Sequence, residues 1–214
     1  MSVEAQLGLG WTGRIMQMLQ AVWTLVLVNL LFAGGVIVGL IVCGVMPAAV
    51  ASATVLLRGS GDDGTVRAFI RAYRESFRRA NLTGIPFLVA TALLCADFLV
   101  LPVLAGPASA ALTALATVVA FLVVLTAIVS VALLVRYRDT PLALLRYAVA
   151  VPLSSPMTAI GVLLALLAFG IIAAIFPVVI PLVGASLPLA VSVRLIDHRL
   201  AKNDPQHPAA RIAA

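Results

Sequence analysis

Apolar residues follow one another in four long runs along this chain, and the short segments between them carry almost all of its charge. The first run, residues 20–57, contains no formal charge. As one helix it would extend ~57 Å, almost twice the ~30 Å thickness of a hydrocarbon core. It must therefore break, and Gly44 and Pro47 favour a break. The pattern predicts a full span over residues 20–43 and a short return helix over 47–57.

The remaining runs predict three further full spans and a second broken crossing. Residues 82–104 and 109–135 are each long enough to cross a bilayer, with Pro86 expected in a first helical turn, where proline is tolerated. The last run is again too long for one crossing. We expect a full span over 157–176 and a broken return over 178–193. The helix-breaking residues expected here are Pro177, Pro181 and Pro188.

The segment before the second full span predicts an amphipathic helix over residues 65–80, because its apolar and basic positions separate at helical spacing. The apolar face comprises Val66, Phe69, Ile70, Tyr73 and Phe77. The basic face comprises Arg67, Arg71, Arg74 and Arg78, with Arg79 beside them. Such a helix is expected to lie at the cytoplasmic membrane surface, where the arginines bind anionic lipid headgroups or a partner protein.

Composition supports a membrane protein. Hydrophobic residues make up 63% of the 214 residues and charged residues 10%, against roughly 45–50% and 25% in soluble domains. The net charge is +6, but the basic residues lie in short loops between apolar runs, which follows the positive-inside rule and does not indicate nucleic-acid binding.

Together these patterns predict an all-α, polytopic transmembrane helical bundle with about four full spans and two short or proline-broken crossings. Both termini are expected on the cytoplasmic side. Residues 1–200 form a single transmembrane domain in this interpretation. The chain is charged from Arg194 onward and ends in a disordered-looking stretch, and residues 201–214 are predicted to be a flexible cytoplasmic tail.

Two polar residues inside the spans are candidates for function. Asp97 is the only formal charge within a span, and a central carboxylate costs about 2.5–3.5 kcal/mol on insertion scales. It is a proton or cation relay, a polar contact for a substrate, or a solvated residue in the outer half of its span. Asn29 is expected to form hydrogen bonds between helices, and a further hypothesis is that Asn29 and Asp97 meet in the bundle.

Other chemistry is not indicated by the sequence. Cys43 and Cys95 lie inside apolar runs and are expected to be buried hydrophobic residues. His198 and His207 lie near the end of the chain without a second ligand at metal spacing. The chain contains no phosphate-binding glycine loop, no His-Glu-x-x-His and no Gly-x-Ser-x-Gly. We therefore predict no enzyme activity, no metal and no cofactor.

Three segments resemble the YesL family of bacterial membrane proteins, which is catalogued as a domain of unknown function. The first is Asn29-Leu-Leu-Phe, followed by Pro47-Ala-Ala and Leu56-Leu-Arg-Gly. The second is the aromatic and basic helix from Val66 to Ala80, and the third is Leu144-Leu-Arg-Tyr-Ala before a proline-interrupted last span. The chain departs from the family by using arginine where lysine is common and by placing Met46 before the first proline.

The resemblance implies a non-enzymatic accessory component of carbohydrate uptake in the bacterial cytoplasmic membrane. Anionic membrane lipids and the subunits of an ABC-type sugar importer are the partners it implies, and self-association of the bundle is a further option. Two alternatives remain from the residues themselves. One is a small secondary transporter or channel-like protein with its site at the broken helices. The other is a lipid-binding membrane scaffold that uses the arginine helix.

Overall fold

The computed structural model describes residues 11–59, 64–103, 107–154, 156–176 and 184–203. In this part of the chain the regular structure is entirely helical, which confirms the predicted all-α class. The helices are α1 (Trp11–Val38), α2 (Val45–Arg58), α3 (Gly64–Val100), α4 (Pro107–Arg136), α5 (Pro141–Ser154), α6 (Pro156–Ile175) and α7 (Ser186–Asn203), with a 3₁₀ turn at Leu101–Val103 after α3.

Three helices are long and apolar enough to cross a membrane, namely those over Gly13–Val38, Gly64–Val100 and Ala108–Arg136. The fourth predicted full span forms α6, in which the described apolar stretch, Ile160–Ile175, is shorter. The two predicted short crossings form α2 and α7, which are also short apolar helices. Many large apolar side chains of α1, α3 and α4 are exposed, as expected for surfaces that face lipid.

The first apolar run breaks at residues 39–44, between Val38 and Val45. Gly44 is the residue that caps the start of α2, in agreement with the prediction. Pro47 does not break a helix, contrary to the prediction. It is the third residue of α2, and in a first helical turn the missing N–H removes no intrahelical hydrogen bond.

The turn between α1 and α2 is tight and strained. A Cβ atom built on Gly39 would lie 2.2 Å from the Cα atom of Gly44, so the two backbones touch. Between these glycines, Leu40 and Ile41 have positive φ angles of 57° and 65°. This left-handed conformation costs roughly 1–2 kcal/mol for a residue other than glycine. The turn therefore depends on the absence of side chains at Gly39 and Gly44.

Helix α3 joins two segments that the sequence pattern separates. The basic segment and the following span form one continuous helix of 37 residues, Gly64–Val100. Pro86 consequently lies inside a helix and not in a first turn, because the helix begins at Gly64. At ~1.5 Å per residue the helix is ~56 Å long, so it exceeds the ~30 Å hydrocarbon core by a large margin.

Part of the apolar face of the basic segment packs on protein. Phe69 is 3% exposed and clusters with residues of α1 and α2. The hydroxyl of Tyr73 donates a hydrogen bond of 2.9 Å to the carbonyl oxygen of Gly35, and its ring lies 6.1 Å from that of Phe69. For Phe69 and Tyr73 these contacts with α1 and α2 replace the predicted contact with lipid, whereas Val66, Ile70 and Phe77 of the same face are exposed.

Helix α2 forms the centre of the bundle. It packs against α1, α3, α4 and α7, and its small residues are almost wholly buried. These residues are Ala48, Ala51, Ser52 and Ala53, which are at most 1% exposed. Small side chains let the neighbouring backbones approach closely.

The remaining helices begin at prolines or contain one in the first turn. Helix α5 begins at Pro141, and it packs through Leu144 and Ala148. Pro188 is the third residue of α7, so it lies at a helix start and does not interrupt a helix. Pro177 and Pro181 lie outside the described residues. Helix α7 continues to Asn203, so the first three residues of the predicted tail are helical.

Replacement of Gly39 by alanine is expected to lower the free energy of unfolding by about 3 kcal/mol, because the new Cβ atom would overlap the backbone of Gly44. The matched control is Gly34→Ala in α1, where nothing lies within 4 Å of the new Cβ atom and alanine favours the helix. Thermal unfolding of both purified variants in detergent measures the difference. Equal stability of the two variants would contradict the close approach of Gly39 and Gly44.

Candidate functional site

The predicted basic face of α3 divides into exposed arginines and one anchored arginine. Arg67, Arg71, Arg74 and Arg78 are all exposed, whereas Arg79 is half-buried. Their spacing of four, three and four residues places the exposed arginines on one side of the helix. We call these four residues the arginine face. Because the opposite side of α3 packs on α1 and α2 through Phe69 and Tyr73, the arginine face has a fixed orientation.

Arg79 binds the segment that follows α4 and is not part of the arginine face. Its Nη2 atom donates hydrogen bonds to the carbonyl oxygens of Tyr137 at 2.8 Å and Asp139 at 3.4 Å. Arg58, the last residue of α2, donates to the carbonyl oxygen of Val135. The last carbonyls of a helix lack intrahelical partners and carry partial negative charge. The two guanidinium groups therefore stabilise the C-terminal end of α4.

A cavity of about 580 Å³ opens beside these two arginines. Helices α2, α3 and α4 and the segment after α4 contribute its walls. Its lining residues are Val50, Thr54, Arg58, Ala72, Glu75, Ser76, Arg79, Leu134, Val135, Arg136 and Arg138. Four arginines thus surround one space that contains a single carboxylate, that of Glu75. We call this space the basic cavity.

The hydroxyl groups that line the basic cavity already use their protons. Thr54 donates to the carbonyl oxygen of Val50 at 2.7 Å, and Ser76 donates to that of Ala72 at 2.7 Å. Both bonds are to the residue four positions earlier in the same helix, a common arrangement for these side chains. Within the basic cavity, the arginines therefore offer donors, whereas Thr54, Ser76 and Glu75 offer acceptors.

Among the residues of this cavity, only Arg79 belongs to the basic face predicted from the sequence. The other three arginines are, in the sequence, basic loop residues that indicate only the cytoplasmic side. Glu75 does not stand out from its basic helix. One feature of the sequence points to the cavity: α2 and α4 both end in arginine, at Arg58 and Arg136. The sequence does not indicate that these two helix ends meet.

Asn29 joins α1 to the start of α7. Its Oδ1 atom accepts hydrogen bonds from the backbone N–H groups of Ala185 at 2.9 Å and Ser186 at 3.4 Å. Asn29 is 7% exposed, and the first N–H groups of a helix need such a partner. The predicted role between helices agrees with this geometry. The cavity that Asp97 lines does not include Asn29, and the hypothesis that the two residues meet stays a prediction.

Asp97 lies in the last turn of α3 and is exposed. It lines a cavity of about 370 Å³ whose other walls are apolar. These walls are formed by Leu94, Val100, Leu101, Leu112, Leu115, Ala116 and Val119. A position three residues before the end of the helix favours the interpretation of Asp97 as a residue near the membrane boundary over that of a central relay.

The two cysteines do not follow the prediction, since Cys43 and Cys95 are both free and exposed. Exposure in these apolar segments is explained by surfaces that face lipid, because the residues around both cysteines are also exposed. Among the described residues, no group of three or more His, Cys, Asp or Glu side chains could hold a metal ion.

Residues 25–98 match a family described as "Protein of unknown function, DUF624". The match covers about a third of the chain and extends from the second half of α1 through α2 to the last turn of α3. It includes the arginine face, Asn29 and Asp97, but not the part of the basic cavity formed by α4. No curated protein and no solved structure matches the chain. The match supports the expectation of a domain of unknown function, and its description names no activity.

Replacement of Arg79 by glutamine is expected to lower the free energy of unfolding by about 2 kcal/mol, because hydrogen bonds from a charged group to the end of α4 are lost. The adjacent Arg78→Gln is the matched control, since Arg78 is exposed and its replacement should change stability by less than ~0.5 kcal/mol. Unfolding of both variants in mixed micelles measures these values. An equal loss in both would contradict the anchoring role of Arg79.

Proposed function

We propose that the protein is a non-enzymatic integral membrane protein of the bacterial cytoplasmic membrane that acts as an accessory component of carbohydrate uptake by an ABC-type importer. The carbohydrate context comes from the resemblance to YesL-like proteins. The observation that supports an accessory role is the arginine face of α3, a rigid and exposed basic surface that extends from a membrane-spanning helix.

The geometry of the arginine face suits docking to an acidic protein surface. The four arginines extend ~16 Å along the helix, from Arg67 to Arg78. Tyr73 and Phe69 fix the helix against α1 and α2, so the backbone that carries these arginines is already ordered before a partner binds. A single exposed ion pair contributes little, and docking would therefore depend on several of the four arginines and on ionic strength.

A small transporter is a second candidate, and the break at residues 39–44 is the observation that favours it. Discontinuous helices form the substrate sites of many secondary transporters, and the positive φ angles of Leu40 and Ile41 mark a strained segment of the kind found at functional sites. Against this candidate, none of the three cavities described for this chain includes residues 39–44. Transport would be tested by uptake into vesicles, with Asp97→Asn as the comparison.

Purification of the tagged protein from native membranes in mild detergent, followed by mass spectrometry, tests the accessory role. We expect importer subunits in near-stoichiometric yield with the wild-type chain. The triple variant Arg71→Glu, Arg74→Glu and Arg78→Glu should lower that yield about tenfold, because attraction to an acidic surface becomes repulsion. The matched control is Arg14→Glu, Arg146→Glu and Arg194→Glu, which reverses three other exposed arginines and should retain the subunits.

Two results would contradict this proposal. One is a preparation that contains this chain alone. The other is an equal loss of importer subunits in the two triple variants, which would assign the effect to net charge and not to the arginine face. Immunoblots of membrane fractions establish that both variants reach the membrane in similar amounts.

A further inference from the structure

The side chains that line the basic cavity carry a net positive formal charge. Four arginines and one glutamate line it, and two of the arginines, Arg58 and Arg79, bind the backbone carbonyls at the end of α4. Those carbonyls carry only partial charges, equivalent to about half an elementary charge at a helix end. The lining of the cavity therefore has a net positive charge that an anion would balance.

The anchored arginines are suited to bind an anion with little further ordering. A guanidinium group has five N–H donors, and Arg58 and Arg79 each use only Nη2 in the hydrogen bonds to α4. Their side chains are already restricted by these bonds, so the entropy cost of binding is reduced. Planar guanidinium groups bind phosphate oxygens in pairs, which makes phosphate a better match than a small monatomic anion.

The acceptors in the basic cavity specify the rest of the ligand. The hydroxyl protons of Thr54 and Ser76 are directed to backbone carbonyls, so their oxygens accept hydrogen bonds from a ligand, as does the carboxylate of Glu75. A ligand that satisfies the whole cavity has a phosphate group for the arginines and hydroxyl groups for these acceptors. A volume of about 580 Å³ lies in the range of small-molecule sites.

The depth of the basic cavity is fixed by the antiparallel pair α3 and α4. Arg79 of α3 contacts Tyr137 just beyond the end of α4, whereas Leu101, just beyond the other end of α3, clusters with Ala116. From Arg79 to Val100 the helix rises ~32 Å, close to the ~30 Å thickness of a hydrocarbon core. The end of the cavity at Arg79 therefore lies at the depth of lipid headgroups, and Arg138, which also lines it, is exposed.

From these observations we infer that the basic cavity binds a polyol phosphate, a phosphate ester that carries free hydroxyl groups. Two sources share this chemistry. One is the headgroup of phosphatidylglycerol, which is a glycerol phosphate diester, and the other is a soluble polyol phosphate such as glycerol 3-phosphate. This inference uses residues other than the arginine face, so it stands independently of the proposed accessory role.

The test uses the purified full-length protein in detergent and three probes. Phosphatidylglycerol and phosphatidylcholine are added as lipids and measured by native mass spectrometry. Glycerol 3-phosphate is added as the soluble probe and measured by isothermal titration calorimetry. We expect saturable binding of phosphatidylglycerol or of glycerol 3-phosphate and weaker binding of phosphatidylcholine, whose headgroup lacks hydroxyl groups and has a positive charge. The probe that binds identifies the source.

Three variants connect binding to the basic cavity. Arg138→Gln should weaken binding about tenfold, because Arg138 lines the cavity and makes no hydrogen bond that would be lost within the described structure. Glu75→Gln should strengthen binding about threefold, because it removes a negative charge and retains an acceptor oxygen. Arg146→Gln removes an exposed arginine outside the cavity lining and should leave binding unchanged.

The opposite effects of Arg138→Gln and Glu75→Gln make the test independent of folding defects, since a misfolded protein would not bind more tightly. The inference is overturned if neither polyol phosphate binds. It is also overturned if Arg138→Gln and Arg146→Gln weaken binding equally, or if Glu75→Gln leaves the affinity unchanged or lowers it.

Discussion

A helical backbone that crosses lipid must satisfy its own hydrogen bonds, and in this chain that constraint joins the membrane span to the basic surface. Helix α3 continues from Gly64 to Val100, and only the bond that Pro86 cannot donate is missing from its interior. The basic segment is therefore a rigid extension of a span and not a separate helix on the membrane surface. The packing of Phe69 and Tyr73 on α1 and α2 follows from this continuity, as does the fixed direction of the arginine face.

The arginines at the end of the bundle where α2 and α4 terminate have two roles. Arg58 and Arg79 stabilise the carbonyl end of α4, whereas the arginines of the arginine face remain exposed. The positive-inside rule uses these arginines only to orient the chain in the membrane. In the structure they also form a helix-end contact, line a cavity and make up an exposed surface. Helix α2 makes this arrangement possible, because its buried small residues bring Arg58 to the end of α4 through the centre of the bundle.

The apolar runs predict the helical class and most helix positions because burial in lipid requires them. The same pattern predicts the short helix α2 directly after the first span. It does not predict where α1 ends, because Gly39 and Gly44 determine the turn by touching each other, and a contact between two glycines has no hydrophobic pattern. The sequence also does not predict that the basic segment continues into its span. The segment has the same amphipathic pattern whether the face that contains Phe69 and Tyr73 meets lipid or protein. Only the position of α1 and α2 distinguishes these two arrangements.

The distance between the two ends of α3 tests the central claim most directly. Spin labels at Val66→Cys and Leu93→Cys, with Cys43 and Cys95 replaced by serine, would be measured by pulsed electron paramagnetic resonance in lipid nanodiscs. Both labelled positions are exposed. A continuous helix predicts one narrow distribution centred near ~40 Å between the two backbone positions, and a bend of ordinary size at Pro86 shortens it by only ~1 Å. A distribution below about 30 Å, as expected for a surface helix perpendicular to its span, would contradict the account.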